Sequence, residues 1–414
     1  MKTNLMIILS LFIVMYSCQS DDNVVDEGSG GDSVVNFEIE KLEVVSLGNS
    51  DQSQPELVRF VSETEGVVVN SKQNTIDFLT INGTDLSLSG ESVQITNDPN
   101  AECSSIDVNV NETIIAVVAT KGACERGELY LVDAMTKEKF GPYELGYNPD
   151  AVDISVDDKF VVVVNEFDYD DGVEGGCDSV GFPGVSIYNI ENGLGSAVLV
   201  KDMQINHTGA NGGLAEPEGV KIAPDGDTVY MTLQESNEMG WFSLSSPPDV
   251  LQNKVAFEAS GHEPDGIWVS ADGGIICTGG EYDGQLGVHV VDTNTGEIID
   301  QNYANLANDL PGSWAWEDDR KGIEPEEVVI AENAGQMFVL ATLQDPSAVV
   351  VYNITDPTNP VYDSGVITQL IDYTSDSSAE STGECEGLAV RNGYVLVANT
   401  EDPSVCLLRA SWAD

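Results

Sequence analysis

The segment from Glu216 to Glu235 reads EPEGVKIAPDGDTVYMTLQE and contains the pattern that decides the fold. An acidic residue beside Pro217 opens a short apolar run, and the Asp225-Gly226 pair predicts a tight turn. A second run, rich in β-branched and aromatic residues, follows this turn. Two such runs joined by a turn are typical of an antiparallel β-hairpin.

This hairpin pattern recurs along the chain, which indicates an internal repeat. Clear copies start at Pro149, Pro264, Pro325 and Cys385, and weaker copies start at Pro55 and Cys103. The stretches after the hairpins, such as 241–244, 289–292 and 349–353, supply further strands. The sequence therefore predicts an all-β, seven-bladed β-propeller, in which segments 37–42 and 405–408 share one blade. A β-helix is the structural alternative, although its repeats would be shorter.

The N-terminal residues read as an export and anchoring signal. Lys2 precedes an apolar run that is too short to span a bilayer comfortably, and the run stops at Cys18. We predict a signal peptide over 1–17, a Gly- and Asp-rich linker over 18–35 and the propeller over 36–414. An ordinary secretory peptide with a Cys near the cleavage point is the alternative.

The 16 Lys and Arg residues against 71 Asp and Glu residues give a net charge of −55, which argues against nucleic acid as a partner. An acid excess of this kind also keeps a protein hydrated in a saline habitat. Apart from Cys18, six cysteines remain in an exported chain, so disulfides are expected. Equal spacing suggests the pairs Cys103/Cys124 and Cys385/Cys406, with Cys177 and Cys277 left open.

Two resemblances add to these expectations. The segment that ends at Cys18 resembles the lipobox of bacterial lipoproteins, although Met15-Tyr16 departs from the usual residues, and the acidic residues after it resemble a surface-export signal. The copies NPDAVDIS, EPEGVKIAPDG and CEGLAV resemble extracellular propellers of the choice-of-anchor I family over about 100–414, and more distantly phytase-like and lactonase-like propellers. The resemblance implies a lipid on Cys18 and an outward-facing protein of the cell outer membrane, without implying an activity.

Acidic residues recur at the start of each inner strand. Because hairpin strands are antiparallel, these acidic residues should lie beside the ends of the second strands, near one mouth of the central channel. Converging carboxylates favour a hard cation, so we predict a Ca²⁺ site formed by Asp150, Glu218, Asp265, Glu326 and Glu386. The alternative is that these residues only cap turns and bind no metal.

Long connections on the same face add further candidate residues. Glu235, Glu281, Trp314 and Trp316 are predicted to contact a ligand, although the tryptophan loop can equally pack onto its own domain. The segment 168–172 has a weak Ca²⁺-loop character, and a solvated loop is its alternative.

Three functions remain open from the sequence. The first is a lipid-anchored binding or scaffold module for a surface protein, a glycan or a small anionic ligand bridged by metal. The second is a Ca²⁺-dependent hydrolase of the phosphatase, phytase or lactonase type, in which His262 or His207 moves protons. The third is a structural envelope component. The regular acidic ring favours the first, because an active site usually combines diverse residues.

Overall fold

The computed structural model describes residues 36–121, 125–167, 181–206, 215–281, 284–312, 314, 322–333, 335–368 and 384–413. Residues Asn36–Ala413 form one compact unit that consists almost entirely of strands. Within the described residues, no helix has the length and apolar character needed to cross a bilayer.

The strands form four-stranded antiparallel sheets, which are the blades of a propeller. Blades 1 to 4 contain, in chain order, β2 to β17: Pro55–Phe60, Glu65–Asn70, Thr75–Asn82, Asp85–Gln94; Glu102–Val108, Ile114–Thr120, Arg126–Asp133, Lys139–Tyr147; Pro149–Ile154, Phe160–Asn165, Gly184–Asn189, Val198–Gln204; Val220–Ile222, Thr228–Leu233, Glu238–Ser243, Asn253–Ala256. A 3₁₀ turn, Leu194–Ser196, precedes the last strand of blade 3.

Blades 5 and 6 contain β18 to β25: Pro264–Val269, Ile275–Gly280, Gln285–Asp292, Glu297–Asn305; Pro325–Asn333, Gln336–Leu343, Ala348–Asn353, Val361–Ile367. Between them lies one helical turn, α1, Leu306–Asp309. Blade 7 contains β26 to β28, Cys385–Arg391, Tyr394–Asn399 and Ser404–Ala413, together with β1, Asn36–Ser46. The first strand of each blade contacts the first strands of both neighbours, so seven inner strands surround a central channel.

The predicted seven-bladed propeller is confirmed, and so is its mode of closure. β1 pairs antiparallel with β28, from Asn36 opposite Ala413 to Ser46 opposite Ser404. The first strand of the chain is therefore the outermost strand of the last blade. Phe37, near the start of β1, is 2 % exposed and packs between blades 6 and 7, which joins the two ends of the chain through apolar contact.

The hydrophobic core lies between the blades. Each pair of adjacent blades shares an apolar cluster, such as the one that packs Leu286 of blade 5 against Tyr352 of blade 6. Alternation of side chains along each strand supplies one face to each neighbour. No blade buries both faces alone, so closure of the ring is what completes the core.

The Asp-Gly turns have the conformation that the sequence predicts. Gly226 has a positive φ of 74°, and the Asp225 carboxylate accepts hydrogen bonds from the backbone N–H groups of Asp227 and Thr228, both at 2.8 Å. Glycine adopts this backbone conformation without the steric cost that a Cβ imposes. The turns lie at the end of the hairpin opposite to the acidic residues.

The predicted disulfide between Cys385 and Cys406 is wrong. Both are free, buried thiols, as are Cys103 and Cys277. Cys385 lies on β26 and Cys406 on β28, with β27 between them. Adjacent strands lie about 4.8 Å apart, so the two cysteines are separated by two such spacings, or about 10 Å. A disulfide spans a Cα separation of only about 4.4–6.8 Å. Cys124 and Cys177 lie outside the described residues.

Candidate functional site

The inner strands share a six-residue motif with a β-bulge, and this bulge shapes the channel. In blade 3 the motif is PDAVDI, and the strand register shifts between Pro149 and Val152. Asp150 and Asp153, three positions apart, consequently both line the channel. The same shift occurs in blades 1, 2, 5, 6 and 7. A regular strand would place only every second side chain there.

The first of these two channel positions carries an acid in six blades, which we call the carboxylate ring. Ser104 stands at this position in blade 2. The ring lines a cavity of about 320 Å³ at one mouth of the channel and consists of Glu56, Asp150, Glu218, Asp265, Glu326 and Glu386. The structure therefore brings together all five predicted metal ligands and adds Glu56, which lay in a weaker copy of the repeat.

Carboxyl groups of neighbouring blades lie beside each other in the ring. Asp150 contacts Glu218, and Asp265 contacts Glu326. Burial, followed by repulsion from nearby carboxylates, holds the pKa values of Glu218 and Glu326 well above the usual range. Two neighbouring carboxyl groups are more stable when one of them keeps its proton, because like charges repel and an ionised carboxylate can only accept a hydrogen bond. A bound cation would replace such a proton.

Glu56 and Glu386 complete the ring with neutral hydrogen-bond donors. The Ser71 hydroxyl donates to Glu56 Oε1 at 2.9 Å, and Gln344 Nε2 donates to Glu386 Oε1 at 2.8 Å. Burial raises the pKa of Glu56 to about 7 and that of Glu386 to about 8. The side chains keep some water contact through the cavity, but protein atoms surround them closely enough to disfavour the charged form.

The ends of the second strands meet the ring, as predicted, but one residue earlier than expected in blade 4. The backbone N–H of Gln234 donates to Glu216 O, in the same way that Glu281 N–H donates to Glu263 O. The side chain of Gln234 in blade 4 then donates, through Nε2, to Glu281 Oε2 in blade 5 at 2.8 Å. Glu235 is exposed, so the residue that lies beside Glu281 is Gln234.

The second channel position carries a layer of charged and aromatic side chains across the middle of the channel, which we call the central belt: Arg59, Asp107, Asp153, Lys221 and Trp268 of blades 1 to 5. Its basic members form ion pairs. Arg59 Nη2 lies 2.5 Å from Glu327 Oε1, and Lys221 Nζ lies 2.5 Å from Asp153 Oδ1. Lys221 Nζ also lies 4.5 Å from the ring centroid of Trp268. No sequence motif marks this belt, because its members are acidic, basic and aromatic and have no common residue type.

Carboxylates of the belt also join neighbouring inner strands. Asp107 accepts a hydrogen bond from the backbone N–H of Ile154 at 3.0 Å, and Asp153 accepts one from Ile222 N–H at 2.7 Å. Each carboxylate therefore binds the backbone of the next blade. Since the belt residues line cavities on both sides, the belt separates the acidic mouth from the opposite mouth.

His262 lies in the core of blade 5 and has no exposed surface. Its Nε2 lies 2.8 Å from the Thr278 hydroxyl, which also contacts His289 Nε2 at 3.0 Å. Burial lowers the pKa of His262 to about 3. A general base must lie within hydrogen-bond reach of its substrate, and in this position His262 contacts neither solvent nor the cavity of the carboxylate ring.

Trp314 packs against the apolar cluster between blades 5 and 6, with its ring close to Gly365. This contact matches the alternative in which the tryptophan loop packs onto its own domain. Several other predicted residues and segments lie outside the described residues: Cys18, segment 168–172, His207 and Trp316.

The chemistry of the ring suits a hard cation, because its donors are carboxylate oxygens. Within the described residues, however, no three His, Cys, Asp or Glu side chains are already arranged to hold a metal ion. The carboxyl groups instead contact each other in pairs, Asp150 with Glu218 and Asp265 with Glu326. A cation would have to replace the protons that these groups hold and draw the side chains toward it.

Comparison with known proteins agrees with this architecture. Residues 56–248 match the choice-of-anchor I domain. The resemblance read from the inner motif is thereby confirmed, although the matched region covers blades 1 to 3 and most of blade 4 rather than 100–414. No curated protein matches the chain in sequence. The choice-of-anchor I match indicates a protein associated with the cell surface.

Solved structures show the same fold at low sequence identity. The β-propeller domain of Cps50 (Swd1) from Myceliophteria thermophila has a TM-score of 0.61 and 7% identity, covering 90% of this chain and 100% of the other. A protein from Lactobacillus plantarum has a TM-score of 0.59 and 13% identity, covering 81% and 89%. An inactive virginiamycin B lyase from Staphylococcus aureus, solved with quinupristin, has a TM-score of 0.57 and 12% identity, covering 90% and 99%.

Proposed function

We propose that the protein is a surface-tethered binding module and that its carboxylate ring takes Ca²⁺. The observation that supports this proposal is the convergence of six carboxyl groups on one cavity of about 320 Å³. The raised pKa values of Glu218 and Glu326 indicate that the fully ionised ring is unfavourable without a counter-ion. A divalent cation would supply that counter-charge and leave coordination positions for a ligand.

The tether and the partner are parts of the same proposal. The choice-of-anchor I match supports attachment to the cell surface, and a lipid on Cys18 would provide the attachment in the outer membrane. The cation would bridge the ring to a surface protein, a glycan or a small anionic ligand. Mass spectrometry of the mature N-terminus tests the tether: an unmodified Cys18 contradicts it.

Metal binding is tested by thermal unfolding and titration calorimetry of the protein after chelation, with Ca²⁺ or Mg²⁺ added back. A cation at about a hundred times its dissociation constant stabilises the fold by about 2.7 kcal/mol. We expect a shift with Ca²⁺ that Glu218→Gln combined with Asp265→Asn removes and that the control Glu235→Gln retains. No shift with either cation contradicts the proposal.

The Ca²⁺-dependent hydrolase is the second candidate, and one observation favours it. The pKa values of Glu56 and Glu386, about 7 and about 8, are close to the value at which a carboxylate is an effective general base near neutral pH. Both described histidines are buried in blade 5, so a ring carboxylate would have to perform this role. Chelator-sensitive hydrolysis of a phosphate ester or a lactone, abolished by Asp265→Asn, would establish the enzyme.

A further inference from the structure

The channel has a second cavity, of about 510 Å³, at the mouth opposite to the carboxylate ring. This volume lies within the range of about 300–1,000 Å³ that is usual for small-molecule sites. Arg59, Asp107, Asp153, Lys221 and Trp268 of the central belt form its floor. Since none of the ring carboxylates lines it, this cavity is chemically distinct from the acidic mouth.

The rim of the second cavity is apolar on four consecutive blades. Four apolar residues that follow the inner strands of blades 2 to 5 line it there, beside the polar Asn109: Val110, Val156, Pro224 and Ala271. Val110 is 71% exposed and Val156 is 40% exposed, which is unusual for large apolar side chains in a chain that is otherwise strongly acidic. Exposed apolar side chains that adjoin a cavity are typical of a ligand site.

The charges that line this cavity are balanced and already have partners. Three are basic and three are acidic. Arg59 pairs with Glu327, and Lys221 pairs with Asp153. Asp107 accepts from Ile154 N–H. At the rim, Arg391 pairs with Glu112, and Glu332 accepts from Ala271 N–H at 2.7 Å. At the floor of the cavity, a charged ligand would therefore lose its hydration and find the opposite charges already paired.

We propose that this second cavity binds an uncharged amphipathic small molecule. Its apolar body contacts the valines of the rim, where removal of apolar surface from water contributes about 25 cal/mol per Å². Its polar end lies at the floor, where Lys221 and the carboxylates of the belt offer donors and acceptors. Trp268 lies beside the bound molecule, so energy transfer from this tryptophan to a fluorescent ligand measures binding.

The probe is N-phenyl-1-naphthylamine, an uncharged aromatic amine whose fluorescence rises in apolar surroundings and which accepts energy from tryptophan. We expect saturable binding to the protein. Val110→Glu combined with Val156→Glu should weaken binding at least tenfold, because the apolar contact at the rim is replaced by two charges. Both side chains are exposed, so the fold tolerates the change. The control pair, Val198→Glu with Ile299→Glu, changes valine and isoleucine side chains that are 56% and 64% exposed on outer strands, and should bind normally.

Two further measurements locate the bound probe and test whether the cavity prefers an uncharged ligand. Trp268→Phe should reduce energy transfer to the dye more than Trp241→Phe, which changes a tryptophan in the core between blades 4 and 5. Octanol should displace the dye at concentrations at least tenfold lower than octanoate or octylammonium. The proposal is overturned by unsaturable binding, by equal binding in both variant pairs, by equal transfer in both tryptophan variants, or by equal displacement by the charged competitors.

Discussion

At the scale of single residues, the width of the channel depends on how closely neighbouring inner strands approach. Gly266 follows the ring residue Asp265, and a Cβ at this position would lie 2.3 Å from Glu326 O of the next blade. Gly219 meets Asp265 O in the same way, at 2.5 Å. The backbones of blades 4, 5 and 6 therefore come together only because these side chains are absent.

Gly266→Ala should destabilise the fold by about 1–3 kcal/mol, because the added methyl group meets a backbone oxygen that cannot rotate away. Denaturant unfolding measures this change. Gly312→Ala is the matched control, since nothing lies within 4 Å of the Cβ position there. Equal stability of the two variants would show that the inner strands can move apart at little cost.

Glu386→Gln should change how stability depends on pH. The pKa of Glu386 is raised to about 8 in the folded protein, above its value in the unfolded chain, so the folded state holds the proton more tightly. This contribution is fully present below the unfolded pKa and decreases as the pH rises toward 8. In metal-free buffer the variant should lose less stability than the wild type over this window, by up to about 1.4 kcal/mol per pH unit.

Thermal unfolding between pH 5 and pH 8 measures the effect of Glu386→Gln, with the exposed acid Glu401→Gln as its control. The control should follow the wild type. Parallel curves for the Glu386 variant and the wild type would mean that this carboxyl group titrates equally in the folded and unfolded states.

At the scale of elements, the inner strands and their ring carboxylates could be predicted from the sequence, but the second channel-facing position of each strand could not. The acid beside Pro or Cys, followed by alternating apolar residues, located the first strand of each blade. The bulge in this strand leaves no such signal, and it shifts the channel-facing position from Val152 to Asp153 in blade 3. The central belt was missed for this reason and because its members share no residue type. The carboxylate ring was found because its acids stand next to the Pro or Cys at the start of most inner strands.

The element-scale prediction concerns Arg59, which links β2 to Glu327 of β22 across blade 7. Arg59→Met leaves Glu327 of blade 6 and Asp107 of blade 2 largely buried and without their basic partner. We expect a loss of about 3–5 kcal/mol in the free energy of unfolding. Adding Glu327→Leu should recover part of it, because an apolar pair replaces an unpaired buried charge.

The control for Arg59→Met is Lys159→Met, which removes an ion pair with Asp157 in which both side chains are about half-exposed, at 45% and 43%. Such a surface pair contributes about 0–1 kcal/mol. If the Arg59 variant loses no more stability than this control in urea unfolding, the belt does not hold the inner strands together.

At the scale of the whole molecule, the ring closes through one strand, β1. Its apolar side chains, including Phe37 and Ile39, pack in the cluster between blades 6 and 7, and its backbone covers the edge of β28. A blade without its outer strand exposes the hydrogen-bonding edge of a sheet, which pairs readily with another chain.

A chain that starts at Leu47 should therefore unfold at a lower urea concentration than a chain that starts at Asn36, and it should self-associate. Urea unfolding and light scattering measure the two effects. Loss of the buried Phe37 side chain alone should lower the free energy of unfolding by about 3–5 kcal/mol, as truncation of a buried aromatic side chain does. A shortened chain that stays monomeric and equally stable would show that β28 closes the ring without help.

The pairing of β1 with β28 also determines which face of the propeller points away from a support to which one terminus is attached. Asn36 lies opposite Ala413, at the end of blade 7 away from Cys385 and the carboxylate ring. Both termini of the described chain thus leave from the face of the Asp-Gly turns. A support attached through either terminus leaves the acidic mouth facing outward, and the second cavity opens on the same face as the point of attachment.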